Sequence, residues 1–328
     1  METKSEFIDI GKNVTAVLSW SPKGILAVGL STGAIQLYES GELIGTLEEH
    51  SKPVSSMAWD PKGNILATGA RDNTIALWKD GAEKATLKGH KGPIYQVAWS
   101  PDSELLASCS GDRSIRLWRD NDSLGTMTGH TGAATSLSWS PNGELLASGS
   151  ADSTIRLWKR NGTEEAVLKG HEKALSRVEW HPEIDSQMLA SSAYDHKVRL
   201  WREGKEYALL EGHRDRVFGL TWSHDGTTLA SGGGFKDAEI RLWSHDGDPA
   251  GVLKGHTSSI YQLGWRFQGD ILASSSFDST VRLWRENQEI AVLEGLKGPA
   301  LDIEWSPDGQ FIASAATGSI GIWNLQQE

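Results

Sequence analysis

The chain has 328 residues with 43 acidic and 32 basic side chains, and its formal charge of −11 disfavours a nucleic-acid binder that depends on a basic face. The single cysteine, Cys109, excludes an intramolecular disulfide and a cysteine zinc cluster, and it favours an intracellular location, cytoplasmic or nuclear. No apolar run reaches the roughly 18 residues of a membrane helix, and the N-terminus lacks the features of a secretory leader, so we expect no membrane association.

In chain order, a short segment from Lys4 to Ile10 precedes a series of units that each carry two aromatic markers. The first marker recurs every 39 to 43 residues, at Trp20, Trp59, Trp99, Trp139, Trp180, Trp222, Trp265 and Trp305. The second is Tyr38 in the first unit and then Trp78, Trp118, Trp158, Trp201, Trp243, Trp284 and Trp323. The two series use all 15 tryptophans, which indicates a structural role for them and predicts eight repeated units.

Each unit is predicted to consist of short strands. In the third unit an alternating apolar run, Ile94–Trp99, is followed by a Ser-Pro turn, a Leu-Leu-Ala-Ser run and an Ile-Arg-Leu-Trp run that ends at Trp118. β-branched and aromatic residues at period two, interrupted by Gly, Pro, Asn and Asp every 8 to 12 residues, are typical of strands and turns and leave no room for helices. The sequence therefore predicts an all-β chain of four-stranded antiparallel blades, a β-propeller.

The last unit ends after its third strand, so a fourth strand must come from elsewhere. The segment Lys4 to Ile10 precedes the first strand of the first unit and matches a fourth strand in position. We expect it to complete the last blade, because a closed ring removes the free edges of an open sheet. Residues 1–328 are thus predicted to form one domain, an eight-bladed propeller, with seven blades as the less favoured count.

The repeat carries further residues at fixed offsets. A Gly-His pair precedes the first strand of six units, at Gly89-His90, Gly129-His130, Gly170-His171, Gly212-His213, Gly255-His256 and, as a variant, Glu49-His50. An aspartate lies six residues before the second tryptophan, at Asp72, Asp112, Asp152, Asp195, Asp237 and Asp278. On these residues the whole chain resembles the WD-repeat family of propellers. It departs from the family in having no Trp-Asp pair, which does not alter the predicted fold.

Residue types of a hydrolase triad occur in the repeat, for example His130, Asp152 and Ser148. Catalysis needs such a set once, whereas this one recurs in six units beside a tryptophan, so we predict no catalytic residues. The resemblance implies instead a buried network of four side chains per blade, here His90, Ser108, Asp112 and Trp118; His130, Ser148, Asp152 and Trp158; and His171, Ser191, Asp195 and Trp201. The sixth unit has Gly233 at the serine offset, which predicts an altered network there.

Other residues give weaker signals of chemistry. The Gly232–Gly234 run lacks the spacing of a phosphate-binding loop, and His181, His196, His224 and His245 lack the partners of a metal site. Cys109 occupies a position that is small in the other units and is predicted to be a core residue. We therefore expect neither a cofactor nor a metal.

The resemblance places two positions per unit on one face of the ring, the top face near its axis: the residue four before the first tryptophan and the residue just before the turn aspartate. Aromatic and basic residues, which are typical of interface hot spots, concentrate at these positions in units five to seven. The predicted partner-binding residues are Arg71, Tyr95, Tyr194, Arg216, Phe218, Phe235, Lys236, Tyr261 and Phe277. The alternative is that these rings plug the channel or pack between blades.

The favoured function is a non-enzymatic scaffold, itself monomeric, that binds a peptide or loop of a protein partner within a larger complex. The segments Leu272–Trp284 and Lys297–Trp305 also resemble the transducin-beta-like corepressor propellers, which implies a nuclear corepressor role. Two alternatives remain: an enzyme or small-ligand binder that uses the central channel, and an engineered or bacterial ring without a dedicated partner. The channel enzyme would need convergent carboxylates or histidines on the channel-facing strands, and the sequence shows no such convergence.

Overall fold

A computed structural model of the chain describes residues 3–11, 16–267 and 269–325. These residues form 32 strands and no helix, as the alternating pattern predicts. Over the same residues there is accordingly no helix with the length and apolar character needed to cross a membrane.

The strands are numbered in chain order, and β1 (Thr3–Asp9) comes first. Blade one contains β2 (Ala16–Trp20), β3 (Ile25–Leu30), β4 (Ile35–Glu39) and β5 (Glu42–Leu47). Blade two contains β6 (Val54–Trp59), β7 (Ile65–Ala70), β8 (Ile75–Lys79) and β9 (Ala82–Leu87). Blade three contains β10 (Ile94–Trp99), β11 (Leu106–Ser110), β12 (Ile115–Arg119) and β13 (Asp122–Met127). Blade four contains β14 (Ala134–Trp139), β15 (Leu145–Ser150), β16 (Thr154–Lys159) and β17 (Glu164–Lys169).

The second half of the chain repeats this order. Blade five contains β18 (Leu175–Trp180), β19 (Met188–Ala193), β20 (Val198–Arg202) and β21 (Lys205–Leu210). Blade six contains β22 (Val217–Trp222), β23 (Thr228–Gly233), β24 (Glu239–Ser244) and β25 (Pro249–Lys254). Blade seven contains β26 (Ile260–Trp265), β27 (Leu272–Ser276), β28 (Val281–Arg285) and β29 (Gln288–Leu293). Blade eight contains β30 (Ala300–Trp305), β31 (Phe311–Ala316) and β32 (Ser319–Leu325).

Each blade is one antiparallel sheet in which neighbouring strands are consecutive, except that β1 pairs with β32 in blade eight. The first strand of every blade contacts the first strand of the next, and β30 contacts β2, so the eight first strands surround a central channel. The prediction of an eight-bladed, all-β propeller is confirmed.

The ring is closed by the N-terminal strand, as predicted. Strand β1 runs antiparallel to β32 in continuous register from Thr3 opposite Leu325 to Asp9 opposite Ser319. Phe7 packs edge-on against Trp323, with 5.7 Å between ring centroids, and Lys297 Nζ lies 2.5 Å from an Asp9 carboxylate oxygen.

The hydrophobic core lies between blades. One cluster joins Ile75 and Leu77 of blade two to Ile94 and Val97 of blade three. The second strands are buried along all or nearly all of their length, as in β11, because neighbouring blades cover both of their faces. This burial explains their runs of Ala, Ser and Gly. The fourth strands form the rim, and five of the six residues of β13 are exposed.

The antiparallel strand order gives the ring two different faces. Turns between second and third strands, together with the connections between blades, lie on the face that we call the top. Turns between first and second strands, including the Ser-Pro turns, lie on the bottom face. The Gly-His pairs, the turn aspartates and the predicted partner-binding residues therefore share the top face.

Candidate partner-binding site

In blades two to seven, the histidine, the serine or threonine, the aspartate and the tryptophan of the repeat lie in one chain of hydrogen bonds. In blade three, Trp118 Nε1 donates to Ser108 Oγ over 2.8 Å, His90 Nε2 lies 2.9 Å from the same Oγ, and His90 Nδ1 lies 2.9 Å from Asp112 Oδ2. Blades four and five bring together the other predicted sets: His130, Ser148, Asp152 and Trp158, and His171, Ser191, Asp195 and Trp201. Blade two uses Thr68 in place of serine, and blade seven uses Ser274.

The protonation states follow from burial and hydrogen bonding. Burial lowers the pKa of His90, so its ring is neutral at pH 7. Burial acts to raise the pKa of Asp112, but hydrogen bonds from the Ser114 hydroxyl, the Lys91 N–H and His90 outweigh it and lower the pKa to about 2. The neutral imidazole thus donates from Nδ1 to Asp112 and accepts the Ser108 hydroxyl at Nε2. Because Ser108 is completely buried, no substrate can reach its oxygen, and the set cannot act as a triad.

Blade six corrects one sequence prediction. Gly233 does not take the serine position: His213 Nε2 lies 2.7 Å from Ser231 Oγ, and Trp243 Nε1 donates to that oxygen over 2.9 Å. The offset from the histidine is the same 18 residues as in blade three, because the two additional residues loop out in the following turn. Only the aspartate end differs: His213 contacts Asp237, whose Oδ1 has no hydrogen-bond partner.

Four of the predicted aromatic residues form a continuous row on the top face, which we call the aromatic ladder: Tyr194, Phe218, Tyr261 and Phe277. Tyr194 meets Phe218 edge-on, with 5.6 Å between ring centroids. Phe218 and Tyr261 are stacked at 5.2 Å with an angle of 5° between their planes, and Tyr261 and Phe277 are stacked at 5.5 Å. The ladder therefore links blades five, six and seven.

A β-bulge aims the rings of Phe218 and Tyr261 toward the channel mouth. In blade six, Val217 pairs with Gly233 and Gly219 pairs with Gly232, so Phe218 is the extra residue. Tyr261 is the extra residue in blade seven and Tyr95 in blade three. A bulge residue does not pair with the neighbouring strand, and its side chain points in a different direction from those of the paired residues. The residue four before the first tryptophan thus reaches the top face.

The ladder is partly exposed and borders a cavity. Tyr261 is 37% and Phe277 46% exposed, whereas Tyr194 and Phe218 are half-buried. Tyr194, Phe218 and Tyr261 line the channel cavity of about 830 Å³, and Arg71 and Tyr95 line it from blades two and three. Tyr95 is itself 39% exposed. The rings stand at the rim of the channel and remain accessible from the top face.

The remaining predicted residues lie beside the ladder. The two-residue insertion of blade six carries Phe235, which is 69% exposed, and Lys236. The Arg216 guanidinium lies 4.9 Å above the ring centre of Tyr194. Arg216 and Lys236 line a second cavity of about 590 Å³, where the tops of blades four, five and six meet. We call this cavity the basic cleft.

Sequence reasoning missed three residues of the basic cleft: Lys173, His196 and Arg214. The signal was present, since Lys173 and Arg214 follow a Gly-His pair within two residues and His196 follows a turn aspartate, and all these turns lie on the top face. The cleft also contains Asp215, whose carboxylate accepts the main-chain N–H groups of Arg216 at 2.8 Å and Lys236 at 3.1 Å. These hydrogen bonds, led by that from Lys236, lower the pKa of Asp215.

The channel holds carboxylates that sequence reasoning also missed. Contrary to the expectation that none converge there, Asp302 and Glu304 on β30 both line the channel cavity. Asp302 accepts the main-chain N–H of Leu18 over 2.9 Å, and Glu304 accepts that of Trp20 over 2.6 Å. On β18, Glu179 accepts the N–H of Trp222 over 3.1 Å. These carboxylates join neighbouring blades by pairing main-chain donors of the next first strand.

Burial perturbs the acidity of the channel carboxylates. It raises the pKa of Asp302 to about 6 and that of Glu179 to about 7. Burial and the nearby Asp302 together raise the pKa of Glu304 well above its usual value. Arg177 on β18, which donates to Gln262, is the charged group that opposes the shifts of Asp302 and Glu179.

Potential metal ligands and the cysteine show no catalytic arrangement. Over the described part of the chain, no three His, Cys, Asp or Glu side chains come together as a metal ion would require. Cys109 is completely buried, and burial raises the pKa of its thiol to about 12, so the thiolate that reacts or binds metal is not formed near neutral pH.

Comparison with known families agrees with this architecture. A family model described as the IFT122 first beta-propeller matches residues 14–208. A model described as the WD domain, G-beta repeat, matches residues 204–244, 247–285 and 287–324. Together the two models account for nearly all of the eight blades.

Individual curated proteins are similar over shorter stretches. The chain is 44% identical over 87 residues to coronin-7 of Bos taurus, which is 26% of this chain and 9% of that protein. It is 31% identical over 181 residues to the F-box-like/WD repeat-containing protein TBL1X of Mus musculus, which is 50% of this chain and 34% of that protein. The similarity thus spans a tenth to a third of the length of these relatives.

Proposed function

Because the chain belongs to the family of WD-repeat β-propellers that the IFT122 first beta-propeller represents, we propose that it is a non-enzymatic scaffold. In this proposal residues 1–328 act as one monomeric domain, and the top face binds a peptide or loop of a protein partner within a larger complex. The rigid ring holds the binding residues in place, and the partner supplies the rest of the function.

The observation that carries the proposal is the aromatic ladder. Its rings are held by contacts with each other while Tyr261 and Phe277 keep more than a third of their surface in water. Aromatic rings contribute strongly to binding when a partner covers them, because they bury a large area with little loss of conformational freedom. Arg216 and Lys236 lie next to the ladder and complete a surface typical of protein interfaces.

The hydrogen bonds of the channel argue against an enzyme there. Asp302, Glu304 and Glu179 each accept a main-chain N–H of the next blade. These hydrogen bonds hold neighbouring blades together, which explains why carboxylates face the channel without a catalytic role. The serine of each repeated network is buried beneath the top face.

Two narrower predictions belong to this proposal. An intracellular location, cytoplasmic or nuclear, rests on the single cysteine. A corepressor role rests on the resemblance of Leu272–Trp284 and Lys297–Trp305 to the transducin-beta-like corepressor propellers.

The test is the double substitution Phe218→Ala with Tyr261→Ala. We expect it to reduce partner affinity by roughly thirty-fold, equivalent to about 2 kcal/mol, because a central hot spot is removed. The full chain would be used as bait in cell extract, the recovered proteins identified by mass spectrometry, and the affinity of one recovered partner measured for both proteins. Thermal unfolding would be followed in parallel, and the melting temperature should change little.

The matched control is Phe267→Ala, an exposed ring on the bottom face that is 52% accessible and contacts His224. It should leave the recovered partners unchanged. If the double variant retained every partner and its melting temperature collapsed, the ladder would be part of the core and the proposed site would be wrong.

A further inference from the structure

The charge of the basic cleft is opposite to that of the whole chain. The chain has a formal charge of −11, yet the cleft is lined by Lys173, Arg214, Arg216 and Lys236, together with His196. All four lysine and arginine side chains are exposed. Their clustering creates a local positive field that attracts anions to this part of the top face.

The protein itself does little to neutralise these cations. Arg214 lies 3.8 Å from Glu239, a carboxylate that Arg241 and Lys254 also approach, at 3.1 and 3.2 Å. Lys173, Arg216 and Lys236 form no ion pair with a carboxylate of residues 3–11, 16–267 and 269–325. The one acidic residue of the cleft, Asp215, has both of its oxygens bonded to main-chain N–H groups. The four lysine and arginine side chains outnumber the single carboxylate of Asp215, which interacts electrostatically with Lys236, so the cleft keeps a net positive charge for a ligand.

The cleft and the aromatic ladder are continuous. Tyr194 lines the cleft and is also the first ring of the ladder, and Arg216 lies over its face. A chain that crosses this boundary would place anionic groups in the cleft and an apolar group on Phe218 and Tyr261. We propose that the ligand of the top face is an acidic peptide segment, with Asp or Glu side chains in the basic cleft and a neighbouring apolar side chain on the aromatic ladder.

This inference rests on the proposed function and adds to it the chemistry of the partner. A peptide fits better than a nucleic acid for two reasons. The inner rings, Phe218 and Tyr261, each have a neighbouring ring on both sides, so a base could not insert between them, whereas an apolar side chain can pack on the exposed part of Tyr261. A polyanion that extended beyond the cleft would meet the net negative charge of the rest of the protein, whereas a short segment would not.

The experiment is a selection from a random library of twelve-residue peptides displayed on phage, with the full chain as target. We expect the recovered peptides to be enriched in Asp and Glu next to an aromatic or large aliphatic residue. Individual labelled peptides would then be titrated by fluorescence anisotropy. The double charge reversal Arg214→Glu with Lys236→Glu should weaken their binding by about tenfold or more, and rising salt should weaken binding to the unaltered chain.

The matched control is Lys91→Glu with Arg113→Glu, an equal change of charge on exposed residues of the same face in blade three, outside the cleft. It should change affinity by less than about twofold, because exposed charges at a distance are screened. Melting temperatures of both variants would show that the ring is intact.

The outcomes separate the two proposals. Peptides without acidic enrichment whose binding still depends on Phe218 and Tyr261 would overturn the acidic-peptide inference and leave the proposed function standing. Failure to select any peptide, or peptides indifferent to the ladder, would overturn both. Tighter binding of a twenty-nucleotide single-stranded DNA, or of a phosphopeptide alone, would also overturn the inference.

Discussion

The indole groups of the eight innermost tryptophans form hydrogen bonds in only half of the blades. Trp59, Trp99, Trp139 and Trp305 donate from Nε1 to a main-chain carbonyl of the preceding blade, at Ser19, Ala58, Ala98 and Gly264. The indole nitrogens of Trp20, Trp180, Trp222 and Trp265 are buried without a partner. The residue at the acceptor position is Ser, Ala or Gly in the first group and Glu, Ser or Thr in the second.

For the second group, the residues at the acceptor position of the preceding blade are Glu304, Ser138, Glu179 and Thr221. In three of these cases the side chain of that residue accepts the main-chain N–H of the tryptophan instead. These bonds are Glu304 to Trp20 at 2.6 Å, Ser138 to Trp180 at 3.1 Å and Glu179 to Trp222 at 3.1 Å. In these three cases a side chain of the preceding first strand satisfies the main-chain N–H of the tryptophan, and the indole N–H has no partner among the described residues.

A second residue-scale feature is the turn between the first and second strands, which needs a left-handed backbone. Glycine fills the position in blades one, two, four, six and eight, with φ of 88° at Gly24, 66° at Gly63, 70° at Gly143, 71° at Gly226 and 66° at Gly309. Blade three has Ser103 at φ 67°, and its hydroxyl is buried without a hydrogen-bond partner. This serine combines backbone strain with an unsatisfied polar group.

Ser103→Gly should therefore stabilise the protein by about 1 kcal/mol, because both costs are removed. The midpoint of urea denaturation would measure the change. The converse variant, Gly143→Ser in blade four, should lower the midpoint. A lower midpoint for Ser103→Gly would show that the serine stabilises its turn in a way that the geometry does not explain.

Strand β1 is the element that joins the two ends of the chain. Its partner β32 has the rest of blade eight on one side only, so without β1 its other edge would be free to pair with another molecule. Phe7 adds an aromatic contact with the buried ring of Trp323. The strand thus closes the ring by main-chain pairing and by packing.

Deletion of residues 1–10 should lower the melting temperature and increase aggregation, because the edge of β32 is exposed. Thermal unfolding and light scattering would measure both effects, and hydrogen exchange should become faster across Ser319–Leu325. Asp9→Asn, which removes only the exposed ion pair with Lys297, is the control and should change the melting temperature little. A truncated chain that melted with the full chain and stayed monomeric would contradict closure by this strand.

At the scale of the whole molecule, acidic groups gather in the channel and basic groups on the top face. Glu179, Asp302 and Glu304 lie half-buried between first strands, and Arg177 is the cation near Asp302 and Glu179. The basic cleft lies on the top face, in blades four to six. The ring therefore separates groups that join blades from groups that are free to bind.

The channel carboxylates predict a pH dependence of stability. Their pKa values are raised in the folded state, to about 6 for Asp302 and about 7 for Glu179, so these two groups bind more protons in the folded than in the unfolded chain between about pH 4 and 7. The contribution of these groups to stability is complete below about pH 4 and is lost as the pH rises to 7.

The variant Glu304→Gln keeps an oxygen that can accept the Trp20 N–H but cannot ionise. We expect it to melt at a higher temperature than the unaltered chain at pH 7, with the difference shrinking toward pH 4. Melting curves from pH 4 to 8 would test this. A constant difference across the range would show that Glu304 does not titrate in it.

Much of the fold could be predicted from the sequence because each blade repeats the same pattern of tryptophans, turn residues and alternating apolar residues. The spacing of Trp20 through Trp305 gave the number of blades, and the position of Lys4 to Ile10 gave the closing strand. The assignment of Gly233 failed because counting back from Trp243 could not show on which side of Ser231 the extra residues fell. The histidine offset would have placed them correctly.

The site was predictable only in part. The aromatic residues were found because they depart from the repeat at two positions, and their identity is visible in the sequence. Asp302 and Glu304 were missed although they alternate along one strand, since their partners are main-chain groups of Leu18 and Trp20, which lie 284 residues away in the chain.

The sequence by itself determined the eight blades, their strands and the hydrogen-bonded networks of blades three, four and five, because these depend on residues within one repeat. Only the tertiary structure decided that four rings form one ladder, that scattered lysines and arginines form one cleft, and that channel carboxylates join neighbouring blades. These features depend on distances between residues of different blades, and such distances are set by the closure of the ring.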